Sequence, residues 1–260
     1  MAATTQQTNV FVTYWLYRVE PAFRHLPPDD QLEAKAEFLS ALESRPVDIT
    51  LRGAYSLVGL RGDADLMIWV YGPDLDAIQR LAVALRHTGL GSYLETVQTY
   101  VGVVTPARYD PDHKPAFMLN PPPKRYVSVY PFVKTTEWYL LPYEQRRELM
   151  AEHGEVGRHY AVPREKLSAS AGAASERRSH TAKAAAPATV EEGGGVLSNT
   201  VDAFGLGDYE FILANESDDP AELCRMMESL RKVEVRRYTR QDVPIYLGQL
   251  KDPGEALADL

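Results

Sequence analysis

The chain has 260 residues and a formal net charge of −8, long enough to bury a sizeable core as one large domain or two fused modules and too acidic for nonspecific nucleic-acid binding. Its single cysteine, Cys224, excludes an internal disulfide and, set in a helical pattern, reads as a small buried hydrophobe. No stretch approaches ~18 apolar residues, and the opening MAATTQQTN lacks the basic and apolar regions of a signal peptide, so the expectation is a cytoplasmic protein without membrane insertion.

Residues 1–8 are polar and read as a frayed, disordered terminus. Residues 10–19, rich in Val, Tyr, Phe and Trp, predict a strand, and Asp29 and Asp30 precede a predicted helix over 31–43. A strand over 47–60, broken near Gly53, is followed by a turn at Gly62 and Asp63. A strand over 65–71 then leads to a helix over 74–87, whose Ile78, Leu81 and Leu85 face a sheet. Residues 92–104 return as a strand, and 105–124 form a Pro-rich connection.

The stretch 125–134 alternates as a half-buried strand must. Tyr126, Ser128, Tyr130, Phe132 and Lys134 share one face; Val127, Val129, Pro131 and Val133 share the other. Pro131 cannot donate to a ladder, which places this strand at an edge or a bulge. A helix opening at Pro142 then puts Leu149, His153, Val156 and Tyr160 on one face, so His153 points inward among apolar groups. Spacing alone leaves open whether that histidine is a satisfied core residue or a ligand.

Residues 165–195, EKLSASAGAASERRSHTAKAAAPATVEEGGG, are Ala-, Ser- and Gly-rich without a sustained apolar period, and read as disordered or as a loose surface excursion. The second half then repeats the order of the first: a strand over 208–213, a helix over 220–231, a strand over 233–240 and a closing segment over 243–248. Asp65 set beside Asp208 gives an offset near 143, and YVG at 100–102 answers YLG at 246–248. A period that long predicts duplication of a ferredoxin-like module. The expected fold is α+β: two fused ferredoxin-like modules, 9–104 and 125–250, forming a dimeric α+β barrel of antiparallel sheets with helices outside.

The six histidines show no HExxH spacing, and with one cysteine a zinc site is not expected. No glycine loop cradles phosphates and no nucleophile elbow is present, so no nucleotide is expected either. Single-histidine ligation of haem iron is the economical metal reading, because a proximal histidine needs no second protein ligand. His153 is the candidate; His159 falls off the apolar face and His180 lies in the low-complexity run.

Tyr130-Pro131-Phe132-Val133-Lys134, then Trp138-Tyr139-Leu140-Leu141-Pro142, then Glu152-His153-Gly154 with Gly157-Arg158, together resemble the signature of the coproheme decarboxylases, haem-synthesis enzymes of the chlorite dismutase superfamily. Asn199-Thr200-Val201 and Gly207-Asp208-Tyr209-Glu210 resemble the actinobacterial-type branch in particular. The resemblance implies a peroxide-dependent enzyme that converts iron coproporphyrin III, at once substrate and redox centre, to haem b by two oxidative decarboxylations. It implies His153 as axial iron ligand and Tyr130 as the redox tyrosine, whose radical takes hydrogen from a propionate β-carbon. It further implies Lys134 as a propionate partner and His113 as the distal base that deprotonates hydrogen peroxide. Ser198 aligns, on the substrate side, where chlorite dismutases carry a distal arginine, which disfavours chlorite chemistry. Family members assemble as rings, typically homopentamers. Another superfamily enzyme, a peroxidase or chlorite dismutase, and a haem-binding protein without turnover are the alternatives.

Overall fold

The computed structural model describes residues 9–106, 114–163, 165–167 and 195–260. The strands are β1 (Phe11–Val19), β2 (Thr50–Ser56), β3 (Leu66–Gly72), β4 (Leu94–Val103), β5 (Tyr126–Lys134), β6 (Leu197–Asp202), β7 (Phe211–Ser217), β8 (Thr239–Gln241) and β9 (Tyr246–Lys251). They lie in the order β7-β6-β4-β1-β3-β2-β9-β5-β8, and a further β7–β5 pairing closes the ring, leaving β8 as an appendage on β5. Each half contributes a ferredoxin-like order, β4-β1-β3-β2 and β9-β5-β7-β6. The two seams are short: β4 meets β6 through Val103↔Asp202 alone, and β2 meets β9 through Ala54, Tyr55 and Ser56.

The ring interior is aromatic and aliphatic, with Tyr14, Tyr55, Trp69, Tyr100, Val127, Val129, Ile212 and Tyr246 packed together. Helices α1 (Pro28–Glu43) and α2 (Leu75–Arg86) cover the outer face of the first half, burying Phe38, Ile78, Leu81 and Leu85 against Trp15, Ile68 and Val70. Outside the second half lie the short α3 (Thr136–Leu140), α4 (Tyr143–Tyr160) and α5 (Pro220–Leu230); α6 (Pro253–Ala258) ends the chain. Among the described residues no helix is long and apolar enough to cross a membrane.

One ion pair stands inside this apolar ring. The β2 register slips between Leu51 and Gly53, so Arg52 is the extra residue of a bulge, which accounts for the break expected near Gly53. Arg52 meets Glu216 of β7 through two 3.0 Å contacts to its carboxylate and donates to the Pro121 carbonyl at 2.6 Å. The side chains are 4 % and 0 % exposed. Asn199 Nδ2 and the Lys124 amide also donate to Glu216, so the charge is fully partnered, which burial demands.

The duplication is visible at the level of side chains, with an offset of 145 instead of 143. Asp74 caps α2 by accepting from the Asp76 amide at 2.9 Å and holds Arg80; Asp219 caps α5 by accepting from the Ala221 amide at 2.9 Å and holds Arg225. The central registers agree as well, Phe11↔Gly72 and Trp15↔Ile68 against Tyr126↔Ser217 and Tyr130↔Leu213.

Other expectations shift. The helix read over 31–43 begins at Pro28, since proline suits the first helical turn. Residues 233–240 are a 3-10 turn (Glu234–Tyr238) followed by the three-residue β8, and the strand read from 208 starts at Phe211. Pro131 is not on an edge strand: β5 pairs with β7 through Phe132, while on its other side the ladder stops at Val129 for β9 and resumes at Val133 for β8, and Pro131 falls in that gap. Cys224 is exposed, not buried. Where the low-complexity segment begins, Leu167 is buried against Ala116 and Leu197, and where it ends the Gly195 amide donates to Glu222; the expectations for 168–194 and for 1–8 fall on residues outside those described.

Candidate functional site

Alternation along β5 sends Val127 and Val129 into the ring interior and Ser128 and Tyr130 to the outer face. Residues paired directly across strands share a face, so Asn215 and Leu213 of β7, then Ser198 of β6 opposite Asn215, continue the surface that Tyr130 begins. Tyr130 is 3 % exposed and Asn215 5 %. The Asn215 Nδ2 donates to the Tyr130 hydroxyl oxygen at 3.2 Å. Burial pushes the Tyr130 hydroxyl well up from its ordinary value, and this hydrogen bond pulls the other way. Ser198 is half-buried.

Lys134 ends β5. Its backbone amide donates to Glu210 Oε2 at 2.6 Å, and that oxygen also accepts from the Tyr139 hydroxyl at 2.6 Å. Its ammonium lies 4.3 Å from the centre of the Trp138 ring and 5.1 Å from that of Phe132. Burial lowers Lys134 from 10.5 to about 8, with Glu210 opposing and the charge of Arg236 adding to the fall.

The α4 helix covers this region. Leu149, Met150 and Val156 pack with Trp138, Val233 and Val235, and Tyr160 joins a cluster with Leu223, Met226 and Leu247, where Leu247 lies opposite Ser128 on the outer sheet face. His153, on the same side of α4, has a buried Nδ1 without a hydrogen-bond partner. Burial, then the charge of Lys134, lowers its imidazole from 6.5 to about 4, so it stands neutral at pH 7. A neutral imidazole has the donor chemistry of a haem-iron ligand. Among the described residues no group of three or more His, Cys, Asp and Glu assembles for a metal. His159 is exposed with its ring edge-on to Tyr160. His113 and His180 lie outside the described residues.

Two features of the site were not read from sequence. Asp242 accepts from Arg231 at 2.9 Å and from Arg236 at 2.7 Å, and one carboxylate against two guanidinium groups leaves positive charge in excess. The cluster reaches the site: at the Tyr130 hydroxyl Asp242 acts first, raising it, with Arg231 and Arg236 opposing, and Arg236 adds to the lowering of Lys134. The density of arginine over 231–240 was the available signal, masked by reading 233–240 as a strand. The second feature is Asn215, a polar residue within the apolar run FILAN. The sequence-derived residues thus fall into two contiguous groups: Tyr130 and Ser198 around Asn215, and Lys134 with His153 at the end of β5.

The chlorite dismutase family profile matches residues 31–176 and 173–251. A coproheme decarboxylase of Mycolicibacterium smegmatis is 33% identical over 239 residues, 92% of this chain and 88% of that protein. Among solved structures, chlorite dismutase from Candidatus Nitrospira defluvii in complex with imidazole superposes with a TM-score of 0.75 at 23% identity, covering 96% of this chain and 94% of that one. A putative chlorite dismutase covers 98% of this chain and 100% of its own with a TM-score of 0.74 at 24% identity.

Proposed function

This chain belongs to the chlorite dismutase family, and from that membership we propose that it is a peroxide-dependent coproheme decarboxylase, acting on iron coproporphyrin III and releasing haem b. The relative named coproheme decarboxylase supports the choice within the family. The observation in the structure that supports it is an oxidisable phenol, Tyr130, buried and held by Asn215, with the cationic Lys134 on the same strand and Arg231, Arg236 and Asp242 all within electrostatic reach of its hydroxyl. Cations of that kind hold carboxylates through charge-assisted hydrogen bonds, so the propionates of the substrate would lie next to the tyrosine.

The bound iron porphyrin supplies the oxidising power once peroxide reacts with it. His153 would hold the iron through a ring nitrogen, ready without deprotonation because the imidazole is already neutral. Lys134, lowered to about 8, remains mostly protonated at pH 7 and pairs with a propionate. Tyr130 gives up an electron and its proton, then recovers a hydrogen atom from the propionate β-carbon; a second electron leaves that carbon, the bond to the carboxylate breaks, and a vinyl group and carbon dioxide remain. One peroxide is reduced to two waters for each propionate lost. His113 would take the proton of incoming peroxide as general base. Assembly as a homopentameric ring belongs to the same proposal.

The test is incubation of the purified protein with iron coproporphyrin III and stepwise hydrogen peroxide, with products followed by mass. Successive loss of two carboxyl groups supports the reading. Bleaching of the porphyrin without that loss would assign a peroxidase, and an inert complex would assign a binding protein.

A further inference from the structure

We propose that Asn215 is a positioning residue for Tyr130, holding the phenol by its oxygen so that the hydroxyl proton is directed to an acceptor on the α4 side of the sheet; this rests on the reading of Tyr130 as the redox tyrosine. The contact is one-directional. The Asn215 amide donates at 3.2 Å, so it occupies a lone pair of the phenol oxygen and leaves the O–H bond to point elsewhere. A donor there also favours the oxygen where its proton leaves ahead of the electron, because a hydrogen bond to an oxygen strengthens as negative charge builds on it. A propionate held by the neighbouring cations is an acceptor of the required kind.

The internal duplication supplies a control. In the first half the strand pair β1–β3 has the same register as β5–β7, and Trp15 stands where Tyr130 stands, Ile68 where Leu213 does, and Val70 where Asn215 does. Trp15 and Val70 simply pack in the apolar core beneath α1 and α2. The ferredoxin-like sheet therefore does not require a polar pair at these positions. A buried amide costs stability unless it is hydrogen-bonded, and the second half carries both members together. The opposite face of β7 secures the backbone: Glu216, the next residue, is clamped by Arg52, Asn199 and the Lys124 amide. Asn215 is thus fixed to a strand that the interior ion pair holds in place.

Asn215→Leu removes the donor at similar volume, and Asn215→Asp keeps the shape while replacing the donor by an acceptor. In porphyrin-free protein labelled with [13Cζ]tyrosine, the Tyr130 resonance is identified by its loss in Tyr130→Phe. Both Asn215 variants should move that resonance and leave the other tyrosines in place. With substrate, haem b formation should fall roughly tenfold while affinity for iron coproporphyrin III stays within about twofold. An unmoved Tyr130 resonance, or turnover within about twofold of the wild type, would overturn the proposal, as would loss of affinity in step with rate, which would make Asn215 part of the binding face. If Asn215→Leu fails to fold, Asn215→Asp decides alone. Failure of the wild type to decarboxylate would instead strike at the function itself, and is read from a separate arm.

Discussion

In the porphyrin-free protein, His153 should make stability fall steeply on the acid side of neutrality. Its folded-state value is about 4 against an ordinary 6.5, so the unfolded chain takes up a proton at a pH where the folded one resists it. The sign follows directly: the full stability is present above pH 6.5 and drains away as pH falls toward 4. At 1.36 kcal/mol per pH unit, the gap corresponds to a ceiling of about 3 kcal/mol, a sizeable fraction of a typical folding free energy. Burial is the first cause and the Lys134 charge the second, so Lys134→Met should soften the dependence without removing it. The assay is urea unfolding of wild type and His153→Phe at several values between about pH 7 and pH 4.5, where the variant keeps an aromatic ring but cannot titrate. The wild type should lose stability faster than the variant across that range, by on the order of 2–3 kcal/mol. Parallel curves would refute the inference that the partly buried His153 stands as a neutral imidazole.

Breaking the interior ion pair should be costly: Arg52→Met leaves the Glu216 carboxylate buried without its main partner, and unfolding free energy should drop by roughly 3–5 kcal/mol, measured by denaturant titration. If His153 is the iron ligand proposed above, His153→Ala should abolish the five-coordinate ferric spectrum of bound porphyrin; an unchanged spectrum would move the ligand elsewhere. Arg231→Gln combined with Arg236→Gln should weaken iron coproporphyrin III binding by ~10-fold or more, since each hydrogen bond to a charged group is worth about 1.5–3 kcal/mol, and fluorescence quenching titrations would report it.

What could be read from the chain alone depended on how local each signal was. Apolar alternation in 125–134 and the Ile78, Leu81, Leu85 stripe are local, so strand β5 and helix α2 were legible within a few residues. The closure of the ring was legible only through the duplication, and its offset came out two residues short because the alignment was anchored on Asp65 and Asp208 and not on the capping pair Asp74 and Asp219. Long-range polar chemistry left no trace: nothing in the sequence ties Arg52 to Glu216, since a bulge turns one side chain inward across 164 positions. Asn215 and the arginines around Asp242 did leave signals, a polar residue ending an apolar run and a density of arginine over 231–240, the latter masked by reading 233–240 as a strand. Cys224 was misjudged because α5 is amphipathic and its outer face carries the cysteine between buried Leu223 and Met226.

The central claim is that Tyr130 is the group through which oxidation reaches the propionates. It is tested most directly by titrating wild type and Tyr130→Phe, each loaded with iron coproporphyrin III, with hydrogen peroxide and following the four-propionate, three-propionate and two-propionate porphyrins by mass. Removing one hydroxyl costs about 1 kcal/mol of folding stability and leaves His153, Lys134 and the Arg231–Asp242–Arg236 cluster in place, so the variant should bind porphyrin as the wild type does. Phenylalanine cannot be oxidised at this site, so the account predicts haem b from the wild type and almost none from Tyr130→Phe. Wild-type yields of haem b from the variant would contradict it.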